Sequence, residues 1–316
     1  MSISRHKINN LIRTTYYCII ISSLFILILI NNSHAASKTQ MTFVSLDKAF
    51  DTMVSAIESG DAGQLTAVFG PEEKELFPAD KDDNARKRER FIKAYNEKHR
   101  LENMGANKVI LHVGNNDWPW PVPLVKAGSR WHFDTKTGIR EITARRIGKN
   151  EISAVQVCLA YVDSQLEYAR IHTTNGIGEY AQKFAGSADK KDGLCWDSKD
   201  GEKESLVGPL LARACEKGMG DEIKQEPSPY HGYFYKILKK QGKNAPGGAY
   251  DYIVDGKMIG GFALVAYPAV YGITGITTFI VNKDGVVYQK DLGKDTAKTA
   301  RSMENYDPDS TWEKTD

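Results

Sequence analysis

The chain has 316 residues, with 42 Lys and Arg against 40 Asp and Glu and a formal net charge of +2. A chain of this length exceeds one ordinary hydrophobic core and points to two domains of typical size. Its near-balanced charge, without a clustered basic face, argues against a nucleic-acid binder.

The first 35 residues read as a secretory signal peptide. Arg5, Lys7 and Arg13 form a positive start, Tyr16 to Ile30 is an uncharged apolar run, and Ser33-His34-Ala35 offers small residues before a cleavage point. The rival reading is an uncleaved anchor, but the run is shorter than the roughly 20 residues a bilayer span needs. Cys18 has no lipobox around it, which argues against a lipoprotein. Cleavage removes three basic residues and no acidic one. The mature chain of about 281 residues then has 39 basic against 40 acidic residues, a net charge of −1. The expected location is periplasmic or secreted.

Beyond the signal, Met41 to Val44 is strand-like and Ser45 caps an amphipathic helix. Leu46, Ala49, Phe50, Met53, Val54 and Ile57 recur at spacings of three and four, and Gly60 stops the helix. Asp61 caps a second short helix, Leu65 to Phe69, closed by Gly70-Pro71. Asp80 to Arg90 reads as a solvated loop and helix face, and the helix runs on to His99. Strands are expected at Asn107 to Val113, Val122 to Lys126 and Trp131 to Asp134, the last two joined as a hairpin. Residues 36–148 thus read as an α+β domain of helices and a curved antiparallel sheet. By shape alone it is comparable to the cystatin-like and nuclear-transport-factor-2-like folds.

Asp134-Thr135 cap a long helical stretch. Its apolar stripe is read as Ile139, Ile142, Ile147, Ile152, Val155, Cys158 or Leu159, Val162, Leu166 and Ala169. A bend or break at Gly148 to Asn150 is expected to mark the domain boundary. The Glu151–Arg170 part needs a sheet to cover its stripe. Four strands are available: Gly232 to Leu238, Gly261 to Tyr267, Thr277 to Val281 and Val286 to Lys290. Asn282 to Gly285 is a tight turn between the last two. The repeated glycine pairs at 247–248 and 260–261 permit tight turns or bulges. Asp295 caps a final helix, Thr296 to Glu304, and residues 307–316 read as a loose tail. Residues 149–306 therefore read as a second α+β domain, a long helix on a four-stranded antiparallel sheet. This arrangement resembles the globular part of a type IV pilin or pseudopilin, although here the helix is internal and amphipathic.

Three cysteines remain after cleavage. Cys158 falls in the apolar helical pattern and reads as a buried core residue. Cys195 and Cys215 flank a polar loop and a short helix, and are expected to pair. A loop of that size is worth roughly 3 kcal/mol. The alternative is three buried free thiols.

Several blocks taken together carry a family resemblance. They are Phe91-x3-Tyr95-x2-Lys98-His99, Asn116-Asp-Trp-Pro-Trp-Pro-Val-Pro-Leu124, Trp131-x-Phe-Asp-Thr135 and Gln156-x-Cys-x-Ala-Tyr-x-Asp-x-Gln165. Three more follow, Pro229-Tyr-His-Gly-Tyr233, Ala245-Pro-Gly-Gly248, and Gly261 to Val265 through Thr278 to Asn282. Their order resembles the bacterial secreted family labelled domain of unknown function 2950, over about residues 43–312. The resemblance implies export and architecture, and implies no activity. Cys195 stands where the family pattern has an aromatic residue, so the expected disulfide is local to this chain.

No motif names a reaction: G-x-S-x-G, Walker loop, H-E-x-x-H and C-x-x-C are all missing. Of the histidines, only His112 and His132, in neighbouring predicted strands, are placed to face each other. No metal and no cofactor is expected. Asp117-Trp118-Pro119-Trp120-Pro121 is the leading recognition candidate, because prolines hold two indoles rigidly. The structural alternative is that both rings roof the first domain's core. His231, with Tyr233 beside it, is a candidate acid or base if a carboxylate such as Asp251 approaches; packing is the plainer reading. The favoured function is non-catalytic binding to a cell-envelope component or another exported protein, without nucleic acid or a stable membrane span. The alternatives are an envelope hydrolase built on His231 and a pilus-associated subunit.

Overall fold

A computed structural model describes residues 40–77, 81–186, 192–195 and 228–315. The segment expected to be a signal peptide, Cys18 and Cys215 lie outside the described residues. The protein is mixed α+β, with helices and largely antiparallel sheets, and it divides into two compact units, one ending at Ile139 and the other beginning at Arg140.

In the first unit, helix α1 spans Leu46–Ser59. The Ser45 hydroxyl accepts from the Lys48 amide, and Gly60 ends the helix in the left-handed conformation at φ 64°. Helix α2 (Ala62–Phe69) is capped by Asp61, and short helix α3 (Glu73–Leu76) and helix α4 (Lys81–Glu97) follow. The strands are β1 (His99–Asn103), β2 (Lys108–Val113), β3 (Trp118–Pro119), β4 (Leu124–Ala127) and β5 (Arg130–Phe133). They form one antiparallel sheet in the order β1-β2-β4-β5, with β3 also on β2. Val109, Leu111 and Val113 alternate inward and are buried against the helices with Phe50, Met53, Phe69 and Phe133. Each such side chain contributes roughly 1.5–3 kcal/mol. The Met41–Val44 segment makes only a bridge, Phe43 to Trp131.

Strand β1 was not expected. Its sequence, His-Arg-Leu-Glu-Asn, is almost wholly exposed on an edge, so it lacks the alternation that marks a half-buried strand. The placement of His112 and His132 on neighbouring strands is also corrected. Strand β4 stands between β2 and β5, so the two histidines lie on strands that are not neighbours.

Helix α5 runs unbroken from Thr135 to Ile171, a correction to the break expected at Gly148–Asn150. Asp134 caps it through the amide and hydroxyl of Thr137. One glycine within a long helix costs only about 1 kcal/mol, and the Asn150 amide donates outward to Thr274 O at 2.8 Å instead of competing for its own backbone.

The period of the α5 stripe was read correctly and its phase only in part: Cys158 and Val162 lie in the core as expected. Ala154, Val157, Cys158, Tyr161 and Tyr168 face the core, whereas Ile152, Leu159 and Leu166 are exposed. Two polar-tipped residues explain the rotation. Gln165 is fully buried because it bonds both the amide and the carbonyl of Ala181 as well as the Tyr161 hydroxyl. Buried polar groups are tolerated when paired in this way.

The second unit's main sheet has five strands. Strands β8 (Tyr233–Leu238), β13 (Ala263–Pro268), β14 (Thr277–Asn282) and β15 (Tyr288–Asp291) form the expected meander. The fifth is β17 (Glu313–Lys314), which pairs with β15, so the segment expected to be a loose tail is part of the sheet. Gly285 closes the β14–β15 turn at φ 73°. Helix α6 spans Thr296–Ser302 after a 3-10 turn, without a side-chain cap from Asp295. Beside the main sheet, β9 (Lys240–Gln241) pairs with β10 (Tyr250–Asp251) and, in parallel, with β16 (Asn305–Tyr306), while β6 (Thr173–Thr174) pairs with β7 (Ile177–Gly178) and β11 (Ile253–Val254) with β12 (Lys257–Met258).

The core of this unit is rich in buried tyrosines, among them Tyr161, Tyr233, Tyr235, Tyr252 and Tyr306. Their hydroxyls find partners: Tyr233 donates to Thr277 O at 2.8 Å and Tyr252 to Gln241 Oε1 at 3.1 Å. Burial pushes all five phenols above the ordinary range.

Candidate functional site

The Trp-Pro segment follows a tight turn at the end of β2. The Asp117 amide donates to Gly114 O at 3.0 Å, and Asp117 is held at φ 54°, a left-handed conformation uncommon outside glycine. Register then fixes the faces. Val113 pairs with Trp118 and His112 with Pro119. Val113 is buried against the helices, so Trp118 projects on the helix side of the sheet and His112 on the opposite side. Trp120 packs on Phe91 at 4.5 Å between ring centroids and joins the roof of the core. Trp118 meets Trp120 edge-on at 6.1 Å and stays 44% exposed. The two indoles thus divide the alternatives between them: Trp120 is packing, and Trp118 is the one displayed.

On the opposite side, Asp117 closes a ring of polar side chains with Arg100, Glu102 and His112. Arg100 donates from Nε to Asp117 Oδ1 at 2.8 Å, from Nη2 to Asp117 Oδ2, and from Nη1 to Glu102 Oε2 at 3.2 Å. His112 Nε2 lies 2.9 Å from Glu102 Oε2, and its Nδ1 lies 2.9 Å from the Asp117 carbonyl oxygen. Arg100 and His112 are direct cross-strand partners on β1 and β2. The Arg100 guanidinium holds the Asp117 carboxyl below the usual carboxylate range, and Asp117 and Glu102 in turn push Arg100 upward. Isolated exposed ion pairs are worth about 0–1 kcal/mol. Here four groups and a bidentate fork act on one turn, and they hold the strained residue from which Trp118 projects. The ring contains no nucleophile and its groups are bonded to one another, so it serves as a clamp.

In the second unit, His231 and Gly232 are the two central residues of a tight hairpin. Both have positive φ, 49° and 74°, while Tyr230 and Tyr233 exchange backbone hydrogen bonds around them. Tyr233 is fully buried and works as a packing residue. Asp251 is exposed and lies 3.8 Å from Lys240. Its backbone partner, Lys240, lies beyond the far end of β8 from His231. A six-residue strand spans roughly 20 Å. The pairing of His231 with Asp251 that a hydrolase would need is therefore not formed. Among the described residues, no group of three His, Cys, Asp or Glu side chains is arranged to hold a metal ion.

Cys158 is free and buried, and burial pushes its thiol up to about 12. Cys195 is disulfide-bonded.

Sequence reasoning missed Arg100, Glu102 and His112 as the mount of Asp117. The signal was a cross-strand one: without β1, Arg100 has no register against His112. It also passed over the β13–β14 loop as part of a sheet-building block, although the stretch from Met258 to Asn282 has 25 residues without a single Asp, Glu, Lys or Arg.

A family model described as "Protein of unknown function (DUF2950)" matches residues 40–315, and the chain belongs to that family. No curated protein and no solved structure matches the chain, so the cystatin-like, nuclear-transport-factor-2-like and pilin-like likenesses stay comparisons of shape.

Proposed function

We propose that this member of the DUF2950 family is an exported, non-catalytic binding protein of the bacterial cell envelope. Its first unit presents Trp118 to an envelope component or another exported protein. The observation that carries the reading is a large aromatic side chain left 44% exposed on a backbone clamped by Arg100, Glu102, His112 and Asp117. Rigid, displayed indoles are frequent binding hot spots, because little conformational entropy is lost when they are covered. Export is supported by the charge, apolar run and small residues of positions 1–35.

The test is capture from envelope extracts with the wild-type chain and Trp118→Ala. The reading expects the variant to melt as wild type and to lose its captured partner. A variant that keeps the partner, or wild type that captures nothing, overturns it.

A further inference from the structure

The loop between β13 and β14, residues 269–276, displays three branched aliphatic side chains to solvent. Val270 is 48% exposed, Ile273 50% and Ile276 37%. Three large aliphatics on one short tip, within a 25-residue run free of Asp, Glu, Lys and Arg, form a concentrated apolar surface rather than scattered exposure.

The loop is also firmly built. Seven of the nine amides from Ala269 to Thr277 donate within the unit. Ala269 bonds Gly232 O, Val270 the Thr274 hydroxyl, and Gly272 bonds Gly275 O. Ile273 and Thr274 bond Val270 O, and Ile276 and Thr277 both bond Glu151 Oε1 at 3.0 Å. Asn150 holds the Thr274 carbonyl. A loop meant for water can leave its amides to water; one that enters a water-poor layer must satisfy them internally.

Charge around the loop fits the same setting. Two acids have oxygens committed to hydrogens at its base: Glu151 to the two amides, and Asp291 to the Tyr271 hydroxyl and the Gly293 amide. On the turn of α5 just before Asn150, Arg146 and Lys149 are exposed. Apolar side chains with cations on the adjoining helix turn suit a bilayer surface carrying anionic headgroups.

We propose that the β13–β14 loop is a lipid-contacting tip, through which Val270, Ile273 and Ile276 enter the interfacial layer of a phospholipid membrane without spanning it. This is independent of the Trp118 reading, since Trp118 belongs to the first unit.

The experiment is co-sedimentation of the mature chain with vesicles of phosphatidylethanolamine and phosphatidylglycerol. A Val270→Ser, Ile273→Ser, Ile276→Ser variant and Trp118→Ala are compared with wild type. Wild type and Trp118→Ala are expected to sediment with vesicles, and the triple variant to bind roughly tenfold more weakly or less. Because the three side chains are exposed, the triple variant should melt near wild type; should it fail to fold, Ile273→Asp alone replaces it. The proposal is overturned if wild type stays in the supernatant, or if the serine or aspartate variant sediments as well as wild type.

Discussion

Tyr233 and Gly275 fit together only because Gly275 has no side chain. The phenol occupies the place a Cβ would take, and its hydroxyl donates to Thr277 O at 2.8 Å. Gly275→Ala should therefore destabilise the second unit by about 1–3 kcal/mol through overpacking. Tyr233→Phe removes only the hydroxyl and should cost about 1 kcal/mol. Thermal or denaturant unfolding measures both, and a Gly275→Ala chain as stable as wild type would contradict the packing described.

Glu151 joins α5 to the base of the β13–β14 loop by accepting two amides with one oxygen. Glu151→Ala should cost about 2 kcal/mol, because both donors lose a charged acceptor. Hydrogen exchange at the Ile276 and Thr277 amides should quicken with it. Glu151→Gln keeps an acceptor oxygen and should restore most of the protection; equal exchange in Ala and Gln variants would count against the contact.

The Asp117 carboxyl is held below its ordinary value chiefly by the Arg100 hydrogen bonds. A lowered folded-state value means the native state releases this proton more readily than the unfolded chain. The contribution is thus fully present above the unfolded carboxylate value, near pH 4, and is lost as pH falls through the lowered one. In an acid titration followed by NMR, Arg100→Ala should raise the Asp117 midpoint. An unchanged midpoint would rule out the ring as its cause.

Cys158 is fully buried and its thiol is pushed up to about 12. A thiol reagent near neutral pH should leave native protein unlabelled and mark Cys158 only on unfolding. With Cys195 bonded, and with Cys215 as the expected partner, unreduced denatured mature protein should give one thiol per chain. Two or more would show that the bond is not made.

Much of the fold was legible because it follows short-range rules. Ser45, Gly60, Asp61 and Gly70 punctuate the first helices as expected, and the β14–β15 turn lies where Asn282 to Gly285 placed it. What escaped depends on partners distant in sequence. Strand β1 is defined by register with β2, and β17 by register with β15. The facing side of α5 was misread because Tyr161, Gln165 and Tyr168 look amphipathic in isolation. The polar atoms of Tyr161 and Gln165 become acceptable in a core through Ala263 and Ala181. The candidate site followed the same pattern. Trp118 stood out by composition, whereas its clamp is a tertiary object, and the His231–Asp251 pairing failed because β8 separates them.

The tyrosine-filled core of the second unit sets an alkaline limit on the protein. Each buried phenol holds its proton more tightly when folded than when unfolded. Once the medium passes about pH 10, the unfolded chain gains by ionising and the folded one does not. Several such residues share one core, so they should surrender together. Phenolate absorbance should rise in a single steep step that coincides with loss of structure, and not as a series of separate titrations.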